Sequence, residues 1–373
     1  MSIQPLKIAL DETFSTIKKY QSGEVKQIKT NRPWLDHQGG VTPRSLITIV
    51  ASSFGGKSTE LENLKADIMN PEINEDAKNY VWLSNAYEMT NFATTLRDLK
   101  KLLKSDFKNI LGKEFSEEER EKLTKYYLER TDGRFFVNQV PQTSKEFLQS
   151  VEGFLEQHKD KSLVVLDLDH AGLIKSSSEN KKISVDDVVE GLNELKNKYN
   201  NFLVVILMQL NRSILSRVAD KSNQSAIQRG DFYQSDTVYH ISDYIYGLQN
   251  ASFVGIEQYR LLNPEKYPHL SHRFTEENKH GKVSLYTEGC IFVEILKDRT
   301  ADIGFTDLFT IEIKPFNKKE IYKPTTSTPI FSTPVFGEKI LTPISDLPPI
   351  TPASLNDAFG QSFEDEKKVD EPF

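Results

Sequence analysis

Residues 51–59 read Ala51-Ser52-Ser53-Phe54-Gly55-Gly56-Lys57-Ser58-Thr59, directly after the apolar run Leu46-Ile47-Thr48-Ile49-Val50. A strand, a glycine loop and a helix in that order form a phosphate cradle, because loop amides and the helix N-terminus turn their N–H groups toward an anion. Lys57 is then placed to reach the β/γ oxygens of a nucleotide and the Ser58 hydroxyl to ligate Mg²⁺, with Ser53, Gly55, Gly56 and Thr59 completing the cradle. The pattern predicts a nucleotide hydrolase that uses ATP and Mg²⁺. One position departs from the motif, since Ala51 stands where its first glycine is expected. The alternative reading is a glycine-rich turn with an exposed lysine. Leu61, Leu64, Ala66 and Ile68 follow near helical spacing, as the cradle requires.

Composition narrows the class without naming it. The 373 residues are enough for one large domain with insertions or for two average ones. No run of 18 apolar residues occurs, and Met1-Ser2-Ile3-Gln4-Pro5 lacks the order of a signal peptide, so the expected location is the cytoplasm with no membrane contact. Cys290 is the single cysteine, which excludes an internal disulfide and any multi-cysteine metal site and suggests a buried small apolar residue. The net charge of −7 is unevenly spread. Residues 324–373 carry eight acids against three lysines, leaving the body near neutral, so charge neither supports nor excludes a DNA partner.

Eight of the 16 prolines fall in residues 324–373, within a loose Thr-Pro repeat (Thr328-Pro329, Thr333-Pro334, Thr342-Pro343, Thr351-Pro352). Such a segment keeps neither a helix nor a central strand, and a disordered tail is expected there. Before it, apolar strand-like runs at 46–50, 80–84, 134–138, 162–167, 202–208, 243–248 and 291–296 alternate with helical patterns such as 116–130 and 185–199. That alternation predicts an α/β fold with a mostly parallel sheet. Residues 251–290 read as an elaborated hairpin or insertion.

In an open parallel sheet, ligands collect at the carboxyl ends of strands. Asp167 ends an apolar run, where a metal-shell aspartate or an ordinary turn residue both fit, and Asp169 and His170 follow as possible assistants or caps. Glu88 lies just past the second strand, suited either to polarising an attacking water or to the first turn of a helix. Gln209 follows the fifth strand as a γ-phosphate sensor or a solvated amide.

Taken together, these segments resemble the replicative helicases of the DnaB type. Gln209-Leu210-Asn211-Arg212-Ser213 is similar to their QLNRS stretch, Asn85-Ala86-Tyr87-Glu88-Met89 to their SLEM segment, and residues 50–59 to their phosphate loop. Val164-Val165-Leu166-Asp167 resembles their Walker B strand and Ile295-Leu296-Lys297-Asp298-Arg299 their late KxR element. The resemblance spans roughly residues 40–313 and implies a RecA-like P-loop core over 41–323. It implies further that Lys57 and Ser58 bind phosphate and metal, Asp167 supports the metal, Glu88 activates water and Gln209 senses the γ-phosphate. Lys297 and Arg299 would act in trans on a neighbouring subunit's nucleotide, which implies a ring, a hexamer, moving 5′ to 3′ on single-stranded DNA.

The segment from Asn211 to about Tyr239 carries Arg212, Arg217, Arg229 and Tyr233, cations and an aromatic ring suited to a single strand. The family's LRESG stretch is replaced here by Phe232-Tyr233-Gln234-Ser235-Asp236, which puts its arginine contact in doubt and makes Arg229 the candidate substitute. Only about 40 residues precede the phosphate strand, so a helical collar or primase is not expected. Residues 1–40 would instead supply a subunit-docking helix over Leu10–Tyr20, as in a compact phage-type ring. The acidic terminus Phe363 to Phe373 resembles the tip of bacterial single-strand-binding proteins and suggests a replisome partner, such as a primase, polymerase or single-strand-binding protein. Two other functions share parts of this pattern: a RecA/RadA-like recombination ATPase, and a nucleotide-binding structural ring of weak activity that Ala51 would motivate.

Overall fold

The computed structural model describes residues 6–53, 55–86, 96, 99, 107–131, 133–138, 140, 142–169, 181–211, 214, 226–231, 236–300 and 307–312. Phe54, Glu88, His170, Arg212, Arg217, Tyr233 and the whole of 324–373 lie outside the described residues. By contact the described chain falls into two units. The smaller, from the span 91–135, holds two helices described below. The larger, from the spans 1–90 and 136–334, holds the sheet and every described candidate residue.

In chain order the larger unit begins with helices α1 (Leu6–Gln21) and α2 (Pro33–Asp36), strand β1 (Leu46–Ala51), helix α3 (Lys57–Ile68) and strand β2 (Tyr80–Ala86). The smaller unit then contributes α4 (Phe107–Leu111) and α5 (Glu117–Thr131). Strand β3 (Phe135–Asn138) leads to α6 (Ser144–Gln157), β4 (Leu163–Asp169), α7 (Lys181–Lys198) and β5 (Phe202–Gln209). Next come α8 (Asp236–Ile241), β6 (Tyr244–Gln249), β7 (Gln258–Leu262), β8 (Val283–Tyr286), β9 (Cys290–Asp298) and β10 (Leu308–Glu312).

Eight strands form one sheet in the order β10-β9-β6-β1-β5-β4-β2-β3. The pairs β1/β5, β1/β6, β4/β5 and β2/β4 are parallel, whereas β9 runs antiparallel to both β6 and β10. The fold is thus the mostly parallel α/β type expected from the alternating runs. β1 is buried along its whole length, as its unbroken apolar sequence requires of a strand covered on both faces. One face packs Leu46, Val50, Val164, Leu166, Val204 and Ile206 against α6 and α7. Those helices present Phe147, Val151 and Leu155, and Val185, Val188, Val189 and Leu192, at helical spacing. α6 starts in a capping box, where Thr143 and Glu146 bond each other's backbone N–H. Residues of the alternate register, Ile47, Ile49, Val165, Val205 and Leu207, are buried on the other face, where α3 packs on β1.

Two features fasten these elements together. The stretch 251–290 forms β7 and β8, an antiparallel pair fastened to the sheet by polar anchors. The Glu294 carboxylate of β9 accepts from the Tyr259 hydroxyl (2.7 Å) and from Arg260 (2.6 Å), and burial pushes its carboxyl up to about 7. Cys290 is fully buried at the start of β9, and desolvation pushes its thiol up to about 12, as suits a packing residue. The second feature is Arg32, a charged side chain with no exposed surface. Its guanidinium donates to Glu60 (2.7 Å) and to Asp67, both on α3, and to the Thr30 carbonyl (2.8 Å). Tyr246 of β6 donates to the same Glu60 carboxylate (3.2 Å). Arg32 therefore fastens the segment before β1 to the helix that follows the phosphate loop.

Replacing Arg32 with Ala would leave Glu60 and Asp67 charged under cover without their partner. Urea denaturation should show a loss of about 3 kcal/mol, the size expected when one member of a buried ion network is deleted. A loss below about 1 kcal/mol would mean that the network contributes little.

Candidate functional site

The loop after β1 is shaped by crowding. A Cβ on Gly55 would lie 2.6 Å from the Ala51 Cβ and 2.9 Å from the Ser52 carbonyl oxygen, so only glycine fits there. Gly56 holds the left-handed conformation (φ +93°) as the residue that opens α3, again a glycine position. Ala51 needs no such freedom, because it is the last residue of a regular strand and pairs in register with Gln209 and Leu248. The missing first glycine is therefore accommodated by extended backbone, and its methyl group makes Gly55 the glycine that matters.

Three side chains converge on this loop. Lys57, the first residue of α3, turns its ammonium back to donate to the carbonyls of Ala51 (3.2 Å) and Ser52 (3.3 Å). The Gln209 amide, at the carboxyl end of β5, donates to the Ser53 hydroxyl (2.7 Å). The Ser58 hydroxyl donates to a carboxylate oxygen of Asp169 (3.2 Å).

The last contact corrects the reading of the fourth strand. β4 does not stop at Asp167 but continues to Asp169, and it is Asp169 at the carboxyl edge that meets Ser58. Asp167 sits two residues back, 1% exposed, and its carboxylate accepts from the Trp82 indole and from the Ser84 hydroxyl (2.6 Å) of β2. Burial pushes the Asp167 carboxyl above its usual range, against the opposing pull of Lys65 and these donors. A carboxylate so enclosed joins two strands. Ser58 and Asp169 together offer a hydroxyl and a carboxylate oxygen, the oxygen donors that a hard divalent cation takes. The loop between a strand and the N-terminus of a helix suits a polyphosphate.

Lys297 and Arg299 stand at the opposite edge of the sheet. β9 runs against β6 with Asp298 opposite Tyr244, so its carboxyl end lies beside the start of the parallel strands. Arg299 donates to Asp243 (3.0 Å) and to the carbonyl of His240 (2.7 Å), while Lys297 donates to the carbonyls of Tyr239 (2.6 Å) and His240 (2.9 Å). Both cations thus rest on the carboxyl end of α8. Burial, followed by the like charge of Arg299, pulls the Lys297 ammonium below its usual range. The five residue steps of β1 place about 17 Å of strand between this edge and the phosphate loop of the same chain.

Asp243 is a residue that the sequence reading missed. One of its oxygens accepts from the Leu46 backbone N–H (2.8 Å) and from Lys196 (2.7 Å), the other from Arg299. It therefore ties the cation at the edge of β9 to the first residue of the phosphate strand. The available signal was a lone acid just before a strand, at the edge opposite to the one where ligands are sought. Of the residues expected to meet DNA, Arg229 is described. It lies over the Tyr239 ring (4.6 Å), 3.6 Å from Asp236, half exposed. Glu88, Arg212, Arg217 and Tyr233 are outside the described residues.

If Asp169 rather than Asp167 serves the metal, Asp169→Asn should raise the Mg²⁺ concentration for half-maximal ATP turnover by at least about tenfold. Asp167→Asn should leave that Mg²⁺ dependence near wild type. Equal shifts in both variants, read from turnover against Mg²⁺, would refute the assignment.

Comparison with known proteins gives a consistent outcome. The DnaB-like helicase C terminal domain family matches residues 28–287. Among solved structures, one titled "ATPase Domain of G40P" superposes with a TM-score of 0.56 at 14% identity, over 83% of this chain and 95% of that one. A second, titled "The Structure Of A DnaB-Like Replicative Helicase And Its Interactions With Primase", gives a TM-score of 0.53 at 14% identity, over 83% of this chain and 64% of that one. At such identity these two likenesses bear on the fold alone. A search among curated proteins gives no match. The family match covers most of the chain, and the chain belongs to the DnaB-like helicases, ATP-dependent DNA helicases of replication.

Proposed function

We propose that the chain works as a ring in which each ATP site is completed by the next subunit, and that the ring translocates 5′ to 3′ on single-stranded DNA. The observation that carries this reading is the position of Lys297 and Arg299, a strand's length away from the phosphate loop of their own chain. Cations at that edge serve a nucleotide only if it belongs to a neighbour.

Within one subunit, Lys57 would exchange its two loop carbonyls for the β/γ oxygens of ATP. Ser53, Gly55, Gly56 and Thr59 would line the phosphates, and Gln209 would sense the γ-phosphate through Ser53. Ser58 and Asp169 would hold Mg²⁺, which when bound neutralises phosphate charge as the γ-phosphoryl group departs. Glu88 would accept a proton from the attacking water. Arg229, with Arg212, Arg217 and Tyr233, would line the path of the strand, since cations interleaved with aromatics bind a strand without reading its sequence.

The helix α1 supports assembly. Leu6, Leu10, Phe14 and Ile17 are exposed on it, Leu6 to 76% and Phe14 to 60%, an apolar surface that a neighbouring subunit can cover. Residues 364–373 would offer their acids and terminal ring to a basic pocket on a replisome partner, such as a primase, polymerase or single-strand-binding protein. That contact is readable by pull-down against a chain ending at residue 363. Among the described residues no helix is long and apolar enough to cross a membrane.

Mixed rings test the shared site. Lys57→Ala and Arg299→Ala should each lower ATP turnover by about 10³ when alone. Mixing them should restore part of it, because an intact site on one subunit then meets an intact arginine on the other. Additive inactivity of the mixture would place Arg299 in its own subunit's chemistry and end the proposal. Separately, a chain lacking residues 1–21 should run as a monomer in mass photometry where the full chain runs as a ring; a ring of unchanged size would remove α1 from the assembly.

A further inference from the structure

Two cations from different parts of the chain share one aromatic ring. The Arg229 guanidinium lies 4.6 Å from the centre of the Tyr239 ring, and the Lys297 ammonium lies 5.4 Å from the same centre. The backbone of Tyr239 is engaged as well, since its carbonyl accepts from Lys297 at 2.6 Å. Its hydroxyl donates to the carbonyl of Leu296 (3.2 Å), the residue just before Lys297. The next residue of α8 repeats the arrangement. His240 meets Arg229 through its ring (3.1 Å), while its carbonyl accepts from Lys297 (2.9 Å) and Arg299 (2.7 Å). Six residues of helix therefore stand between the segment expected to meet DNA and the pair expected to reach the neighbour's nucleotide.

We propose that Tyr239 is a positioning residue that couples DNA occupancy at Arg229 to the placement of Lys297 and Arg299 in the adjoining ATP site. The coupling rests on the reading above that Arg229 meets the strand and that the pair acts in trans. Its physical basis is shared attraction and repulsion. Both cations are drawn to the negative face of one ring, and they repel each other. Arg229 is among the charges that disfavour the protonated form of Lys297, after burial and Arg299. A phosphate of the strand that pairs with Arg229 neutralises that charge and draws the guanidinium from the ring. Lys297 then holds the ring with less competition, and the hydroxyl bond to Leu296 and the carbonyl bonds of α8 carry the change to both β9 cations. The neighbour's turnover is thereby raised only when the strand is in place. Asp243 holds the other side of Arg299 to the base of β1, so α8 is the part of the support that DNA can alter.

The test uses the full chain with and without an oligothymidylate strand. Tyr239→Leu removes the ring and the hydroxyl but keeps the backbone carbonyls. The ratio of strand-stimulated to basal ATP turnover should fall by about fivefold or more. Tyr239→Phe, which keeps the ring, should retain most of the stimulation. Unchanged stimulation in Tyr239→Leu would overturn the coupling, and so would an equal loss of basal and stimulated turnover in both variants, which marks a purely structural ring. Two controls separate this failure from failure of the reading beneath it. Arg229→Ala should weaken strand binding in fluorescence anisotropy, and the mixed rings of Lys57→Ala and Arg299→Ala should regain turnover. If either control fails, the underlying reading fails and the coupling with it; if both hold while Tyr239→Leu remains fully stimulated, the coupling alone is wrong.

Discussion

The pairing of β1 between β5 and β6 is the constraint on which the rest of the molecule depends. Every residue of β1 is buried, and its in-register parallel partners fix the level at which each strand ends. At the carboxyl edge this brings Ser53 under Gln209 and sets the loop over the end of β5. At the amino edge it brings Leu46 to Asp243, and Asp243 to Arg299. One strand thereby sets both the phosphate loop at one edge and the cation pair at the other. The arrangement explains how a rigid element can serve two functions, since a strand in the middle of a sheet transmits displacement along its length with little bending.

Among the described residues, buried charges are held in company. Arg32, Glu60 and Asp67 join the chain before β1 to the helix after it, and Asp167 joins β4 to β2 through Trp82 and Ser84. Such groups are costly to enclose singly and stabilise position when every partner is present. The same logic applies to Lys297 and Arg299. Stacked on the last carbonyls of a helix, they occupy the negative end of its dipole, which holds two like charges close together. Because α8 is only six residues long, that hold is modest and open to change by whatever contacts the helix from its other side.

Much of this was readable in the residues, for reasons that differ by region. The strands of the parallel sheet announced themselves because burial on both faces demands unbroken apolar runs, as in Leu203-Val204-Val205-Ile206-Leu207. Lys57, Ser58 and the two glycines were readable because local backbone geometry dictates them. The end of β4 was misjudged, since the first acid of Leu166-Asp167-Leu168-Asp169 looks like a strand terminus. Only the distant Trp82 and Ser84 reveal that Asp167 is enclosed and that Asp169 is the edge residue. Arg32 and Asp243 were invisible for the same reason: their partners lie far away in sequence. β10, a short edge strand with half-exposed residues, carries too weak a pattern to be recognised alone.

The central claim is that the phosphate loop and the cations of β9 meet only across a subunit boundary. It is tested most directly by an electron cryomicroscopy structure of the ring with a non-hydrolysable ATP analogue, Mg²⁺ and single-stranded DNA. The account predicts the Arg299 guanidinium within hydrogen-bonding distance of the γ-phosphate held by the neighbouring subunit's Lys57. Arg299 still bound to its own Asp243 and His240 at every interface, with no contact to any nucleotide, would contradict it.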